Sequence, residues 1–167
     1  MAKEKLPAGI DVNTYIKDGF KHVADVVHCA NGTWSYRNVD DFIMFDPHNS
    51  WVYFIVVGNK IVKVGESEKP LGIRYGGERG QPVPNSSCRF GGYRQGRSEQ
   101  FIREALQDSE EVVSIWAKKC EIVEHKTIFA GKERLVKSYC HKTLEKEYIN
   151  LIKNLTGSIP PLNKIRK

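Results

Sequence analysis

The chain has 167 residues, of which 40% are hydrophobic and 28% charged, a balance typical of a folded protein and unlike that of a disordered one. The net charge of +6 is compatible with a phosphate-bearing partner. No apolar run reaches the roughly 18 residues that span a bilayer, the N-terminus lacks a signal-like apolar stretch, and the four cysteines form no C-x-x-C pair. These features predict a cytoplasmic protein with reduced thiols and no membrane association.

The first fifty residues predict a helical extension that precedes the core. Asp11 or Asn13 is a candidate N-cap for a helix whose apolar positions continue to Val27. The aromatic segment 33–45 is interpreted as a strand or a short turn of helix. A turn cluster at 46–50 marks the boundary with the core.

A tight hairpin opens the core. Two runs rich in β-branched residues, VYFIVV and KIVKV, flank Gly58-Asn59, which is a dipeptide typical of two-residue turns. The spacing along the two strands allows Tyr53 and Lys63 to face the same side, since side chains alternate along a strand. A helix that starts near Ser67 would then carry Arg74.

The remaining elements are predicted from their composition and periodicity. Residues 76–97 are rich in Gly, Pro, Ser and Arg, which predicts a long irregular loop inserted in the core. The segment 112–123 reads as a strand, and 127–136 as a further strand or a hairpin. Thr143 is a candidate N-cap for a last helix that ends near Leu155.

These motifs, in this order, resemble the GIY-YIG nuclease family. Tyr53 stands where the family has the tyrosine of its G-I-Y strand, and Lys63 where it has its second tyrosine, that of the Y-I-G strand. Lysine at that position occurs in a subset of the small restriction enzymes of the family. Three further elements follow in the family's order: the helix arginine Arg74, the glutamate Glu145, and the closing segment Pro160-Pro161-Leu162-Asn163.

The resemblance covers roughly residues 51–165 and implies an α+β fold. Residues 51–167 would form a GIY-YIG-like nuclease domain, with a small mixed β-sheet flanked by helices and the loop insertion at 76–97. Residues 1–50 would be an N-terminal helical extension that supplies dimer or DNA contacts.

Four residues are the candidate catalytic set. Phosphodiester hydrolysis needs an activated water and charge relief on the phosphoryl group. We expect Tyr53 to accept the proton of the attacking water, assisted by the ammonium of Lys63, and Arg74 to bind the scissile phosphate as a bidentate fork. Glu145 is the candidate metal ligand, for Mg²⁺ or for Mn²⁺ as its substitute. The family's spacing selects Glu145 over Glu147, which would lie on the other side of the helix.

Each of these residues also has an ordinary structural alternative. Tyr53 would be a half-buried strand aromatic, Lys63 a lysine on a wet sheet face, and Arg74 and Glu145 solvated helix charges.

A second set of residues is expected to bind DNA, because arginine and amide side chains contact phosphates and base edges. The alternative for the loop is a mobile basic segment, and for the asparagine a C-terminal cap. The set comprises Arg79, Arg89, Tyr93, Arg94, Arg97 and Asn163.

The sequence therefore predicts a Mg²⁺-dependent DNA endonuclease, a site-specific type II restriction enzyme acting on double-stranded DNA without an organic cofactor. A palindromic site would imply a homodimer. Two alternatives stay open: a phage or repair nuclease that nicks with loose specificity, and a catalytically inert DNA-binding module.

Overall fold

The computed structural model describes residues 9–28, 34–40, 46, 49–68, 71 and 112–163. Their elements confirm the predicted α+β class. All the strand pairings described are antiparallel, so the expected mixed sheet is corrected to an antiparallel one. None of the helices in these residues is both long and apolar enough to cross a lipid bilayer.

The N-terminal segment forms a short 3-10 helix and then a strand. The helix spans Val12–Asp18, and its N-cap is Asp11, one of the two predicted candidates, with the carboxylate accepting a hydrogen bond from the backbone N–H of Asn13 at 2.8 Å. Gly19 ends it in the left-handed region, at φ 99°. Strand β1 follows at Lys21–His28, so the prediction of a helix continuing to Val27 was wrong. Pairing with a distant strand decided the conformation of these β-branched residues.

Five strands form the main sheet, in the order β2-β1-β5-β3-β4. Strand β2 spans Trp34–Asn38, which agrees with the strand interpretation of that segment. Strands β3 (Ser50–Val57) and β4 (Lys60–Ser67) form the predicted hairpin, and β5 spans Val113–Cys120. Because β1 pairs with β5, residues from both sides of position 50 share one sheet.

A second, two-stranded sheet follows. The predicted strand 112–123 is divided at Glu121, because Cys120 ends β5 in the main sheet and β6 then runs over Ile122–Phe129. Strand β7 covers Lys132–Tyr139 and confirms the hairpin expected in this segment. Ala130 and Gly131 form its turn with φ values of 51° and 74°.

Helix α1 spans His141–Thr156 and is followed by a 3-10 turn at Pro161–Asn163. Its N-cap is Cys140, so the assignment of Thr143 as the cap was wrong. The helix begins earlier than predicted, with a buried histidine at its first position. Gly157 ends it at φ 81°.

The main sheet has core on both of its faces. The Tyr53 face is defined by the odd-numbered residues of β3, and it packs with Val62, Leu71, Ile115 and Leu162. The Phe54 face is defined by Val52, Phe54 and Val56, and it is covered by the first 3-10 helix and by α1. Because strand β3 is buried on both faces, all eight of its residues are inaccessible to solvent, which explains its continuous apolar sequence.

Candidate active site

The side chain of Tyr53, a residue of β3, extends over the neighbouring edge strand β4 on the Tyr53 face. It pairs with Gly65, and a Cβ atom added there would lie 2.2 Å from Cζ of Tyr53 and 2.4 Å from its hydroxyl oxygen. The ring therefore occupies the space above a residue that has no side chain, and only 1% of Tyr53 is exposed. The glycine lets the phenol extend towards the outer edge of the sheet.

A β-bulge places Lys63 on the same face. Near the turn Val56 pairs with Ile61, but the register then shifts, and Ile55 pairs with Lys63. If Val62 instead paired regularly with Ile55, Lys63 would stand opposite Phe54, on the other face. The bulge thus makes Lys63 a diagonal neighbour of Tyr53, and residues so related lie about 7–8 Å apart at Cα. The structure agrees with the expectation that both residues face one side.

Asn163 holds the C-terminal segment against the outer edge of β4. Its Nδ2 donates to the carbonyl oxygen of Val64 at 2.7 Å, and its Oδ1 accepts from the backbone N–H of Val64 at 2.8 Å. The two bonds imitate the pairing of a further strand, and they bring Leu162 into the core of the Tyr53 face. The amide is thus engaged one residue away from Lys63 and from Gly65.

Glu145 lies on the stripe of α1 that packs against the Phe54 face. It is only 3% exposed, whereas Glu147 is exposed to solvent. This difference agrees with the preference for Glu145 over Glu147. A buried carboxylate is costly unless it is paired, so Glu145 is not an ordinary surface charge.

Sequence reasoning missed a cluster that joins α1 to the end of β4. The Nε2 atom of His141 lies 3.2 Å from a carboxylate oxygen of Glu66 and 3.5 Å from one of Glu68. His141 is fully buried, and Lys142 lies 3.6 Å from the same Glu68 oxygen. In the sequence this histidine matches no metal-ligand spacing, so no local pattern distinguishes it. Since Glu145 comes one helical turn later, the contact helps to set its position along the sheet.

An aromatic cluster fixes the rest of α1 on the Phe54 face. Tyr148 packs edge-to-face against Phe54 and Phe20, with ring centroids 5.6 and 5.1 Å apart. Its hydroxyl donates to Asp18 at 2.8 Å and accepts from the Lys118 ammonium at 3.3 Å. Burial first, and then the hydrogen bond to the Asp18 carboxylate, raises the pKa of Tyr148 above its ordinary value. The helix is therefore tied both to the sheet and to the N-terminal segment.

The candidate residues occupy both sides of one sheet edge. Tyr53 and Lys63 lie on the Tyr53 face, and Glu145 belongs to the helix on the Phe54 face. Between them runs the last part of the edge strand β4, from Lys63 to Ser67. The other predicted residues lie outside the described part of the chain: Arg74, Arg79, Arg89, Tyr93, Arg94 and Arg97.

The acidic side chains fit a magnesium ion better than a metal that needs a full set of protein ligands. The described residues contain no group of three or more His, Cys, Asp or Glu side chains arranged to hold a metal. Mg²⁺ keeps several waters and is bound through one or two carboxylates together with substrate phosphates. A single buried carboxylate such as Glu145 is consistent with that mode of binding.

Comparison with known proteins finds similarity of structure and not of sequence. No protein-family model matches the sequence, and no curated protein sequence matches it significantly. A mutant of bacteriophage T4 EndoII matches the structure with a TM-score of 0.62 and 14% sequence identity, over 92% of this chain and 99% of that one. The restriction endonuclease HPY188I in complex with product DNA matches with a TM-score of 0.50 and 19% identity, over 100% of this chain and 98% of that one. The chain therefore shares its fold with EndoII of bacteriophage T4 and with a restriction endonuclease.

Proposed function

We propose that this chain is a Mg²⁺-dependent endonuclease that hydrolyses phosphodiester bonds of double-stranded DNA, in the manner of the GIY-YIG restriction enzymes that its motifs resemble. The observation that carries the proposal is the pair of Tyr53 and Lys63. The bulge brings them to one face, and Gly65 leaves room for the phenol at the sheet edge. The fold shared with DNA endonucleases, one of which is bound to product DNA, supports this reading.

In the proposed reaction a water molecule attacks the phosphorus, and the bond to the 3′ oxygen breaks, leaving a 5′-phosphate. Tyr53 accepts the proton of the water, assisted by the Lys63 ammonium on the same face of the sheet. Arg74 binds the scissile phosphate, and Glu145 holds the metal ion. Mg²⁺, when bound, offsets the negative charge that develops on the phosphoryl oxygens.

The basic loop 76–97 supplies the DNA contacts in this proposal, through Arg79, Arg89, Tyr93, Arg94 and Arg97. Asn163 acts indirectly in this proposal: its amide makes two hydrogen bonds with the backbone of Val64 and so holds β4 in place beside Lys63. A homodimer would cut both strands of a palindromic site, with residues 1–50 contributing contacts to the partner or to DNA.

The proposal is tested by plasmid cleavage with Mg²⁺. We expect Tyr53→Phe to lose at least about 100-fold in cleavage rate, the lower range for a general base, with DNA binding and the unfolding midpoint unchanged. The matched control is Tyr15→Phe. The Tyr15 hydroxyl is buried on the Phe54 face, where it has no hydrogen-bond partner among the described residues, so this variant keeps full activity. Cleavage by Tyr53→Phe at the wild-type rate would contradict the proposed role.

A phage-type nuclease that nicks with loose specificity is the second candidate, because one structural match is a protein of bacteriophage T4. Sequencing the ends produced by digestion of a phage genome separates the two. A restriction enzyme gives one recurrent site cut on both strands, whereas a nicking nuclease gives dispersed single-strand breaks.

A further inference from the structure

The β6–β7 hairpin, residues 122–139, is a sheet of its own that projects from the core. It is inserted between β5 and α1, and its side chains are exposed along most of its length. Ile128 and Phe129, beside the turn, are 78% and 66% exposed. An isolated two-stranded hairpin is marginally stable in water. Exposed apolar residues on such an element indicate contact with a partner, and since Ile128 and Phe129 lie on opposite faces, the charges decide which face makes it.

The two faces of the hairpin differ in charge. On the first face, Glu124 stands opposite Lys137, and their charged atoms are 3.5 Å apart. On the same face Lys126 and Glu133 form a diagonal pair at 3.4 Å. Both acidic residues of the hairpin lie on this face, and each has a lysine beside it. This face, which we call the ion-paired face, is therefore electrically balanced.

The opposite face carries cations and no carboxylate. We call it the basic face, and its cross-strand pairs are Val123 with Ser138, His125 with Val136, Thr127 with Arg134, and Phe129 with Lys132. The 3.5 Å separation of His125 Nδ1 from Ser138 Oγ shows that these residues share one side. Lys132 and Arg134 are both exposed, and the exposed ring of Phe129 is next to them.

We propose that the basic face of this hairpin binds the sugar-phosphate backbone of duplex DNA outside the cleavage site. This inference rests on the proposed function and adds a binding surface to it. Arg and Lys neutralise phosphates, and an aromatic side chain beside them packs on sugars or on an unstacked base step. A second copy of this chain is the less favoured occupant. The basic face carries no carboxylate that could pair with the cations of an identical face.

The position of the hairpin in the chain links this contact to the candidate active site. Strand β7 ends at Tyr139, and α1 begins two residues later at His141. The base of the hairpin therefore adjoins the helix that carries Glu145.

The test compares two double variants of one hairpin. Lys132→Ala with Arg134→Ala removes two cations from the basic face. Lys126→Ala with Lys137→Ala removes two cations from the ion-paired face and serves as the matched control. All four residues are exposed, so both variants retain the fold, as circular dichroism and the unfolding midpoint would verify. Affinity for a fluorescent duplex is measured by anisotropy over a range of salt concentrations, in the Tyr53→Phe background to prevent cleavage.

We expect the basic-face variant to bind at least about tenfold more weakly. Its plot of log K against log salt should be less steep by about 2, the change for two lost phosphate contacts. The control variant should stay within about threefold of the parent and keep its slope.

Three outcomes would overturn the inference or its basis. If the wild-type chain neither binds nor cleaves duplex DNA, the proposed function itself fails. If it binds and cleaves but both double variants weaken binding equally, only net charge matters and the basic face is not the surface. If sedimentation shows a dimer that the basic-face variant alone converts to a monomer, the face is an interface between copies and the inference is wrong.

Discussion

Gly65 does not owe its place to backbone conformation, because its φ lies outside the left-handed region that favours glycine. A glycine is required there because any side chain would occupy the space that the Tyr53 ring fills. The ring of Tyr53 lies above its Cα, closer than any side chain would allow. Each residue of the motif Lys63-Val64-Gly65 thus has its own role. Lys63 supplies a cation, the backbone of Val64 binds the amide of Asn163, and Gly65 leaves space for the phenol of Tyr53.

At this residue we predict that Gly65→Ala lowers the free energy of unfolding by about 1–3 kcal/mol and reduces cleavage, because the new methyl group displaces the Tyr53 ring. The test is a double-mutant cycle by urea denaturation. In a Tyr53→Ala background the space is already empty, so Gly65→Ala should cost close to nothing more. An equal cost in both backgrounds would show that Tyr53 is not the residue displaced.

At the scale of elements, the register of the hairpin β3–β4 decides on which face Lys63 lies. The turn fixes the pairing of Val56 with Ile61, and continued regular pairing would turn Lys63 towards the helix on the Phe54 face. Val62 changes this by adding a residue to β4 that has no counterpart in β3. The side of the sheet that Lys63 occupies is therefore set by the bulge.

Exchange of Lys63 and Val64 (Lys63→Val with Val64→Lys) should accordingly reduce cleavage by roughly 100-fold or more, the scale of loss for a misplaced catalytic group. It should also destabilise the protein, because the lysine would then lie in the apolar core of the Phe54 face, where Val64 is fully buried. Deletion of Val62 is the control: it removes the extra residue but leaves Lys63 opposite Ile55, so cleavage should be largely retained. An exchange variant that is as stable and as active as the wild type would refute the importance of the side that Lys63 occupies.

At the scale of the whole molecule, two buried acids of the Phe54 face link stability to alkaline pH. Burial, followed by the neighbouring Cys140, raises the pKa of the Cys120 thiol from 9.0 to about 12. Burial and Asp18 raise the pKa of Tyr148. The folded state keeps both groups protonated, whereas in the unfolded chain the thiol ionises near pH 9. The stability that these groups contribute is present below pH 9 and is lost as the pH rises towards 12.

Urea unfolding at pH 8 and at about pH 10.5 should show this loss, with at most about 1.4 kcal/mol per pH unit for each ionising group. Cys120→Ala removes the contribution of the thiol, so its stability should fall less between the two pH values. If the variant and the wild type lose the same amount, the thiol does not carry the effect.

Local sequence determined those elements whose cap, turn or end is specified by a few neighbouring residues. The dipeptide Gly58-Asn59 specified the β3–β4 hairpin, Asp11 capped its helix, and Gly157 ended α1, because each acts through its own backbone geometry. The stripe that holds Glu145 and Tyr148 was likewise readable from helical periodicity.

Long-range pairing decided what the sequence left open. Strand β1 formed where a helix was expected, because β5 was available as its partner. Likewise, His141 meets Glu66 across 75 positions of sequence, and Asn163 meets Val64 across 99. Such contacts depend on which elements pack together, and no local pattern encodes that choice. The residue types of the candidate site were therefore visible in the sequence, whereas the fold alone decided on which side of the sheet edge Tyr53, Lys63 and Glu145 lie.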